Sequence, residues 1–442
     1  MRLFGSSGIR RVVDREFLQL TFEVGLAVGS QYPSVVVGHD TRTTSDAMKH
    51  AFISGVLSAG ATAADAGVAP TPSLSYATRH FAAGAVITAS HNPPEYNGIK
   101  LVNPDGSAFD SAQRQEIEDL VSGGSVRVAS WEMTKPCTQH VSVVEEHLQR
   151  ILSDFPTELK LKVVVDCGCG AASEVTPVLL ANLGCDVVRL NCEPSGHFPR
   201  GIEPTPDNLQ DLMRVVKSEG AALGIAHDGD ADRVAVVDEN GRLIGGDQLM
   251  VLLARQLGVK RVVTTVDASM AVDELGFEVT RTKVGDAFVS DELRCNPGKN
   301  PADEFGGEPS GCFIIPKISL CPDGIYAAAK IAEIASQQRM SSLVEQIPSY
   351  PLLRGAIAAD TPAMPELEMR LREWVGESGS LESLDGLRAS FNDGWVLIRP
   401  SGTEPKIRIT AEAKSEQRAR ELYDLAYKTI EECVKGREGA AT

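Results

Sequence analysis

The densest chemistry in the chain stands at Asp228-Gly229-Asp230-Ala231-Asp232-Arg233. Three carboxylates alternate with glycine and alanine, between apolar runs at 221–226 and 234–237. Like charges packed this closely repel, and a loop between two buried strands is a costly place for them. A divalent cation removes that cost, because hard oxygen ligands at i, i+2 and i+4 can converge on one Mg²⁺. The small residues between them let the backbone curl around the ion. Read alone, the run is also compatible with an acidic surface turn.

Three further stretches carry reactive groups. Thr88-Ala89-Ser90-His91-Asn92-Pro93-Pro94, followed by Asn97-Gly98-Ile99-Lys100, presents a serine hydroxyl at a strand end in a loop stiffened by two prolines. Beside a metal triad, a phosphorylated serine is a plausible resident phosphate donor. A Ser-His-Asp hydrolase is disfavoured: there is no Gly-x-Ser-x-Gly elbow, and an adjacent histidine rarely points at its neighbour's oxygen. Arg399-Pro400-Ser401-Gly402-Thr403-Glu404-Pro405-Lys406, with Arg408 close behind, combines cations, hydroxyls and free backbone N–H groups into a compact anion nest. Taken alone it reads equally as a polar hairpin turn, and it is no Walker loop. Gly306-Gly307-Glu308-Pro309-Ser310-Gly311 offers a carboxylate and a hydroxyl suited to vicinal sugar hydroxyls, or is simply a Gly-rich turn.

The elements that must position these groups repeat along the chain. Buried strands are predicted at 34–40, 84–88, 163–165, 186–188, 261–264 and 277–280, and helices at 45–57, 173–183 and 268–275. Strand and helix alternating at this period imply parallel sheets with helices on both faces, and polar loops at strand ends that meet at a cleft. After a proline-containing linker at 360–365, strands at 395–398 and 406–410 and a long charged helix at 415–434 form a smaller α+β cap. At 442 residues the chain exceeds one core, so three or four domains are expected.

Composition narrows the function. Hydrophobic content of 43% and charged content of 23% describe a soluble globular protein, and no apolar run is long enough to span a membrane. The first residues lack the apolar stretch of a secretory signal, and nine scattered cysteines read as reduced thiols, so a cytoplasmic protein is expected. A net charge of −17 argues against nucleic acid as a partner, so the positive charge an anionic substrate needs must come from a few placed Arg and Lys. No coiled coil or large apolar surface helix announces an oligomer.

In this order, the motifs resemble the α-D-phosphohexomutase family over essentially the whole chain, beginning with Phe4-Gly5-Ser6-Ser7-Gly8-Ile9-Arg10. The resemblance implies three tandem α/β domains with mixed sheets around a central cleft, plus the C-terminal cap, divided here at 1–152, 153–254, 255–362 and 363–442. It implies a phosphoserine at Ser90, Mg²⁺ held by Asp228, Asp230, Asp232 and that phosphate, and a reversible shift of phosphate between the 6- and 1-positions of a hexose. Arg10, Lys100 and Arg233 would supply positive charge, with His91 beside the serine. Lys100 is a candidate acid/base if nearby cations lower its pKa. Glu308 and Ser310 would hold the sugar hydroxyls, with Lys283 in a second sugar-facing loop. Arg399, Ser401, Gly402, Thr403 and Arg408 would grip the phosphate that is not reacting. Cys312 stands where many members place a histidine, and Arg11 where many have glycine. Thr282-Lys283-Val284-Gly285-Asp286 resembles the phosphoglucosamine mutase branch, pointing to glucosamine 6-phosphate, with mannose or glucose phosphates as the alternatives and a metal-dependent sugar phosphatase as a third reading.

Overall fold

The computed structural model describes residues 3–5, 8–124, 126, 128–155, 158–358, 364–376, 379–400 and 406–438. The chain divides into two compact units, residues 1–262 with 285–346, and residues 263–284 with 347–442.

The first unit holds two mixed sheets. Strands β1 (Ile9–Val12), β2 (Ser34–His39), β3 (Thr62–Val68), β4 (Ala83–Ile87), β5 (Tyr96–Val102) and β6 (Thr138–Gln139) form the first, in the order β1-β5-β4-β2-β3-β6. Its centre is parallel, while β5 runs antiparallel to both β4 and β1. Val35, Val36 and Val37 are fully buried, as expected of a strand covered on both faces, where hydrophobic residues run without alternation. Strands β7 (Lys162–Asp166), β8 (Asp186–Leu190), β9 (Leu223–His227) and β10 (Val234–Asp238) form the second sheet, ordered β10-β9-β7-β8, with the β9–β10 pair antiparallel. The acidic run at 228–233 is the connection of that antiparallel pair.

The helix expected at 45–57 is Ser45–Ser58. The one expected at 173–183 splits into a 3₁₀ turn, Ala171–Glu174, and an α-helix, Thr176–Asn182. Pro177 explains the break: it lacks an N–H and is tolerated only in a first turn.

The chain passes between the units within β11 (Arg261–Thr265). In the second unit β12 is Glu278–Thr282, and the helix expected at 268–275 is a 3₁₀ turn, Met270–Leu275, capped by the Ser269 hydroxyl and stopped by Gly276 at φ +80°. Back in the first unit, β13 (Glu304–Gly307) and β14 (Phe313–Ile314) form a hairpin. The second unit closes with an antiparallel sheet of β15 (Leu352–Ala358), β16 (Ser380–Glu382), β17 (Leu387–Phe391), β18 (Gly394–Pro400) and β19 (Lys406–Ala413), ordered β15-β19-β18-β17-β16. Apolar residues of the helices Met364–Val375 and Glu416–Glu438 pack on one face of this sheet, against Ile398, Ile407 and Ile409. Trp395 and Leu397 face the other way, onto Val266, Met270 and Val284. Residues 359–363, most of the expected linker, lie outside the described residues.

Candidate active site

Ser90 follows β4 and sits in the left-handed backbone region, at φ +51°, as does Ala231 at +59° in the acidic loop. Non-glycine residues rarely adopt this conformation, and it persists only where the surroundings over-determine it. The first sheet and the β9–β10 connection bring these two loops together. Ser90 Oγ, 1% exposed, donates to Asp228 Oδ2 at 2.7 Å. Gly229 lies directly against the serine backbone: a Cβ there would stand 2.6 Å from the Ser90 carbonyl oxygen.

The three aspartates are buried, and one oxygen from each lies within 4.8 Å of the others. Lys100, on β5, donates to Asp230 Oδ2 at 2.6 Å and to Asp232 Oδ2 at 2.5 Å. Thr71, at the start of the helix Thr71–Ala77, gives Asp230 Oδ2 a second donor at 2.5 Å and binds the Asp230 carbonyl through its own N–H at 2.9 Å. The Oδ1 atoms of Asp230 and Asp232 are buried and have no hydrogen-bond partner. Buried carboxylate oxygens left unpaired are strongly unfavourable, and clustered ones fit the all-oxygen shell of a hard divalent cation. The site is therefore able to hold a metal through this chain's own residues.

The charges respond accordingly. Burial, reinforced by Asp232 and Asp230, pushes the Asp228 carboxyl well above the ordinary carboxylate range. Burial acts the same way on Asp230, but Lys100 and Thr71 outweigh it and hold that group low. Burial would also pull the Lys100 ammonium down, yet Asp230 and Asp232 push it well up. This differs from the expectation of a Lys100 with lowered pKa: two carboxylates, not cations, dominate its surroundings.

His91 Nδ1 lies 3.3 Å from Ser90 Oγ, against the expectation that it would point elsewhere. Its pKa is lowered to about 3 by burial, with Arg233 and Arg10 adding to the effect, so the imidazole is neutral. No described carboxylate pairs with its other ring nitrogen, so a Ser-His-Asp relay is not assembled. Arg10, on β1, reaches into the same loop, with Nη1 2.8 Å from Asn92 Oδ1. Arg233 leaves the acidic loop through a backbone bridge to Cys312, and Nη1 is 3.4 Å from Glu203. The Val234 N–H donates to the Gly311 carbonyl at 3.1 Å, which ties the loop bearing Glu308 and Ser310 to the acidic loop. Glu308 accepts from the Gly285 N–H at 2.8 Å, and Ser310 Oγ lies 3.4 Å from its other oxygen.

Arg10, Ser90, His91, Lys100, Asp228, Asp230, Asp232, Arg233, Glu308 and Ser310 thus all belong to the first unit. Lys283, Arg399 and Arg408 belong to the second. There Arg399 and Arg408 are direct cross-strand partners on β18 and β19. Arg399 Nε lies 3.1 Å from Asp385 Oδ2, which also accepts the Val284 N–H at 3.0 Å. Ser401, Gly402 and Thr403 lie outside the described residues.

Sequence reading gave no role to Thr71. Its signal was a hydroxyl residue between Pro70 and Pro72 directly after a strand, a rigid helix start aimed at a strand-end cleft. It also passed over Asp40 and Arg42, in the polar loop after β2.

Comparison with protein families matches residues 1–126, 142–241 and 245–350 to the α/β/α domains I, II and III of phosphoglucomutase/phosphomannomutase, and residues 357–428 to the C-terminal domain. The chain belongs to the phosphoglucomutase/phosphomannomutase family. It is 46% identical to a "probable phosphoglucosamine mutase" of Methanocella arvoryzae, across 98% of this chain and 99% of that protein. It is 43% identical to the protein of the same name in Methanosarcina acetivorans, across 98% and 100%. A phosphoglucomutase/phosphomannomutase family crystal structure from Burkholderia thailandensis superposes with a TM-score of 0.85 at 27% identity, covering 97% of this chain and 98% of that one. The fold is the family's: three α/β domains with mixed sheets and a C-terminal antiparallel domain. Among the described residues no helix is long and apolar enough to cross a membrane.

Proposed function

We propose that this protein is a phosphohexomutase that interconverts hexose 6-phosphate and hexose 1-phosphate through a phosphoserine at Ser90 and a bisphosphorylated sugar, with glucosamine phosphate as its substrate. The carrying observation is the Ser90 hydroxyl 2.7 Å from Asp228, in a cluster whose Asp230 and Asp232 keep unpaired buried oxygens. Phosphoryl transfer demands charge neutralisation and in-line positioning more than covalent chemistry by the protein. When bound, Mg²⁺ held by Asp228, Asp230 and Asp232 supplies Lewis-acid stabilisation to the phosphate on Ser90. Lys100 and Arg10 add positive charge around the transferring group, and Arg233 extends it toward the sugar loop. The neutral His91 places an uncharged ring nitrogen 3.3 Å from Ser90 Oγ, where it can orient the hydroxyl. Glu308 and Ser310 are assigned to the sugar hydroxyls, and Lys283 to substrate binding.

The non-reacting phosphate is assigned to Arg399, Arg408 and the loop containing Ser401, Gly402 and Thr403. Arg399 and Arg408 are direct cross-strand partners, a pair of guanidinium donors suited to a phosphate dianion. One clamp must serve both sugar orientations, since the bisphosphate turns over between the two transfers.

The glucosamine assignment draws on the named relatives above and on a sugar loop, Glu308-Pro309-Ser310-Gly311-Cys312, without a histidine. The domain limits proposed are 1–152, 153–254, 255–362 and 363–442, and the location cytoplasmic. A coupled assay on glucosamine, mannose and glucose 6-phosphates, with free phosphate measured in parallel, tests the reading. The glucosamine substrate should turn over fastest with no phosphate release. Stoichiometric phosphate release would make the protein a sugar phosphatase, and faster turnover of mannose or glucose phosphate would reassign the substrate.

A further inference from the structure

Arg42 is 3% exposed, yet every guanidinium N–H has an acceptor. Nε donates to Asp40 Oδ2 at 3.1 Å. Nη1 donates to the carbonyls of Pro93 at 2.7 Å and Tyr96 at 2.8 Å, and Nη2 to those of Ser90 at 2.9 Å and Asn92 at 2.7 Å. Three of its five donors therefore end on the backbone of the loop that carries Ser90, and a fourth on Tyr96, the first residue of β5. Asp40, fully buried, also accepts from the Thr88 hydroxyl at 2.7 Å, and that hydroxyl accepts the Ser90 N–H at 2.9 Å. One network thus grips both the amide and the carbonyl of Ser90, the residue held at φ +51°.

The network is braced from the second domain. The Phe198 ring covers the guanidinium, 5.5 Å from ring centroid to Cζ. Thr41 Oγ1 donates to the Cys169 carbonyl at 2.9 Å. Gly196 lies so close that a Cβ would stand 2.5 Å from the Thr41 carbonyl oxygen. A rigid fork of five donors is what arginine has and lysine lacks.

We infer that Arg42 is the positioning residue of the nucleophile: it fixes the left-handed turn that aims Ser90 Oγ at the acidic cluster, and so sets the rate of phosphoryl transfer without touching substrate. The inference rests on the reading of Ser90 as the phosphate carrier. A merely structural arginine would change stability and leave the balance between kcat and KM alone. A positioning one changes kcat and the single-turnover rate, leaving KM in place.

The test compares Arg42→Lys with the wild type, measuring the melting midpoint, kcat, KM for glucosamine 6-phosphate, and single-turnover transfer from phosphorylated enzyme. Lysine keeps the charge beside Asp40 but has only three donors. The expected result is a folded protein whose kcat and single-turnover rate fall about 100-fold, with KM changed less than about threefold. A folded Arg42→Lys enzyme with wild-type kcat, or with the loss entirely in KM, overturns the inference. If that variant does not fold, Thr88→Val decides: it removes the hydroxyl between Asp40 and the Ser90 amide at nearly constant volume. A kcat loss of about tenfold or more, restored by Thr88→Ser, supports the network, and wild-type kcat in Thr88→Val overturns it. Ser90→Ala is read separately, since full turnover there overturns the phosphate-carrier reading itself, whatever Arg42→Lys does.

Discussion

Gly229→Ala isolates the fit between the metal-binding loop and the nucleophile. The backbone at Gly229 is not left-handed, so alanine meets no intrinsic strain there, and the obstacle is contact alone. The added Cβ would stand 2.6 Å from the Ser90 carbonyl oxygen and 3.3 Å from Ile202 Cγ2, whereas ordinary contact begins near 3.4 Å. The Ser90 carbonyl cannot step aside freely, because Arg42 Nη2 holds it at 2.9 Å. Serine and acidic loop must therefore separate by about 0.8 Å, and since a 1 Å misplacement costs about 100-fold in rate, kcat should fall about 10- to 100-fold. That loss corresponds to about 1.4–2.8 kcal/mol of transition-state stabilisation. Overpacking should cost about 1–3 kcal/mol in stability as well. Steady-state turnover in saturating Mg²⁺, with the melting midpoint measured alongside, reads both effects. A variant with wild-type kcat and an unchanged midpoint would mean that Ser90 does not rest on Gly229, and the site geometry would be wrong.

Other perturbations address separate parts of the account. Asp230→Asn removes a charged ligand while leaving the backbone bond from Thr71 in place, so the concentration of Mg²⁺ needed for half-maximal activity should rise about 100-fold or more; unchanged metal dependence would remove Asp230 from the shell. His227 is lowered to about 4 by burial, against the raising effect of its bond to the Arg233 carbonyl. Because the fold holds it below the unfolded value of 6.5, its contribution is complete above pH 6.5 and declines as pH falls toward 4, by up to about 3 kcal/mol. Denaturant titrations at pH 7 and pH 4.5 should show this loss shrinking in His227→Gln, and identical pH slopes in both proteins would contradict it. Arg399→Lys loses a planar donor fork, and should raise KM for the sugar phosphate about tenfold with a smaller change in kcat; an unchanged KM would take Arg399 out of the clamp.

Much of this was legible in sequence because local pattern and chemistry coincide there. The acidic run declares itself by charge spacing between two apolar strands, and Ser90 by its prolines. What stayed hidden depends on distant partners. The split of the helix at 173–183 was readable from Pro177, but the pairing of Lys100 with Asp230 and Asp232 joins residues 130 and 132 positions apart. That pairing reverses the direction of the lysine's pKa, and no local pattern encodes it. Arg42 was invisible for a related reason: four of its five acceptors are backbone carbonyls, which have no residue type to read. Thr71 reaches Asp230 across 159 positions.

The most direct test of the central claim is the anomalous signal of Mn²⁺ in crystals of the enzyme phosphorylated by a hexose bisphosphate. The account predicts one strong peak coordinated by Asp228, Asp230 and Asp232, using the buried oxygens of Asp230 and Asp232 that have no hydrogen-bond partner, with phosphate density continuous from Ser90 Oγ to the ion. A peak elsewhere, or an unmodified Ser90 in a fully active enzyme, would contradict it.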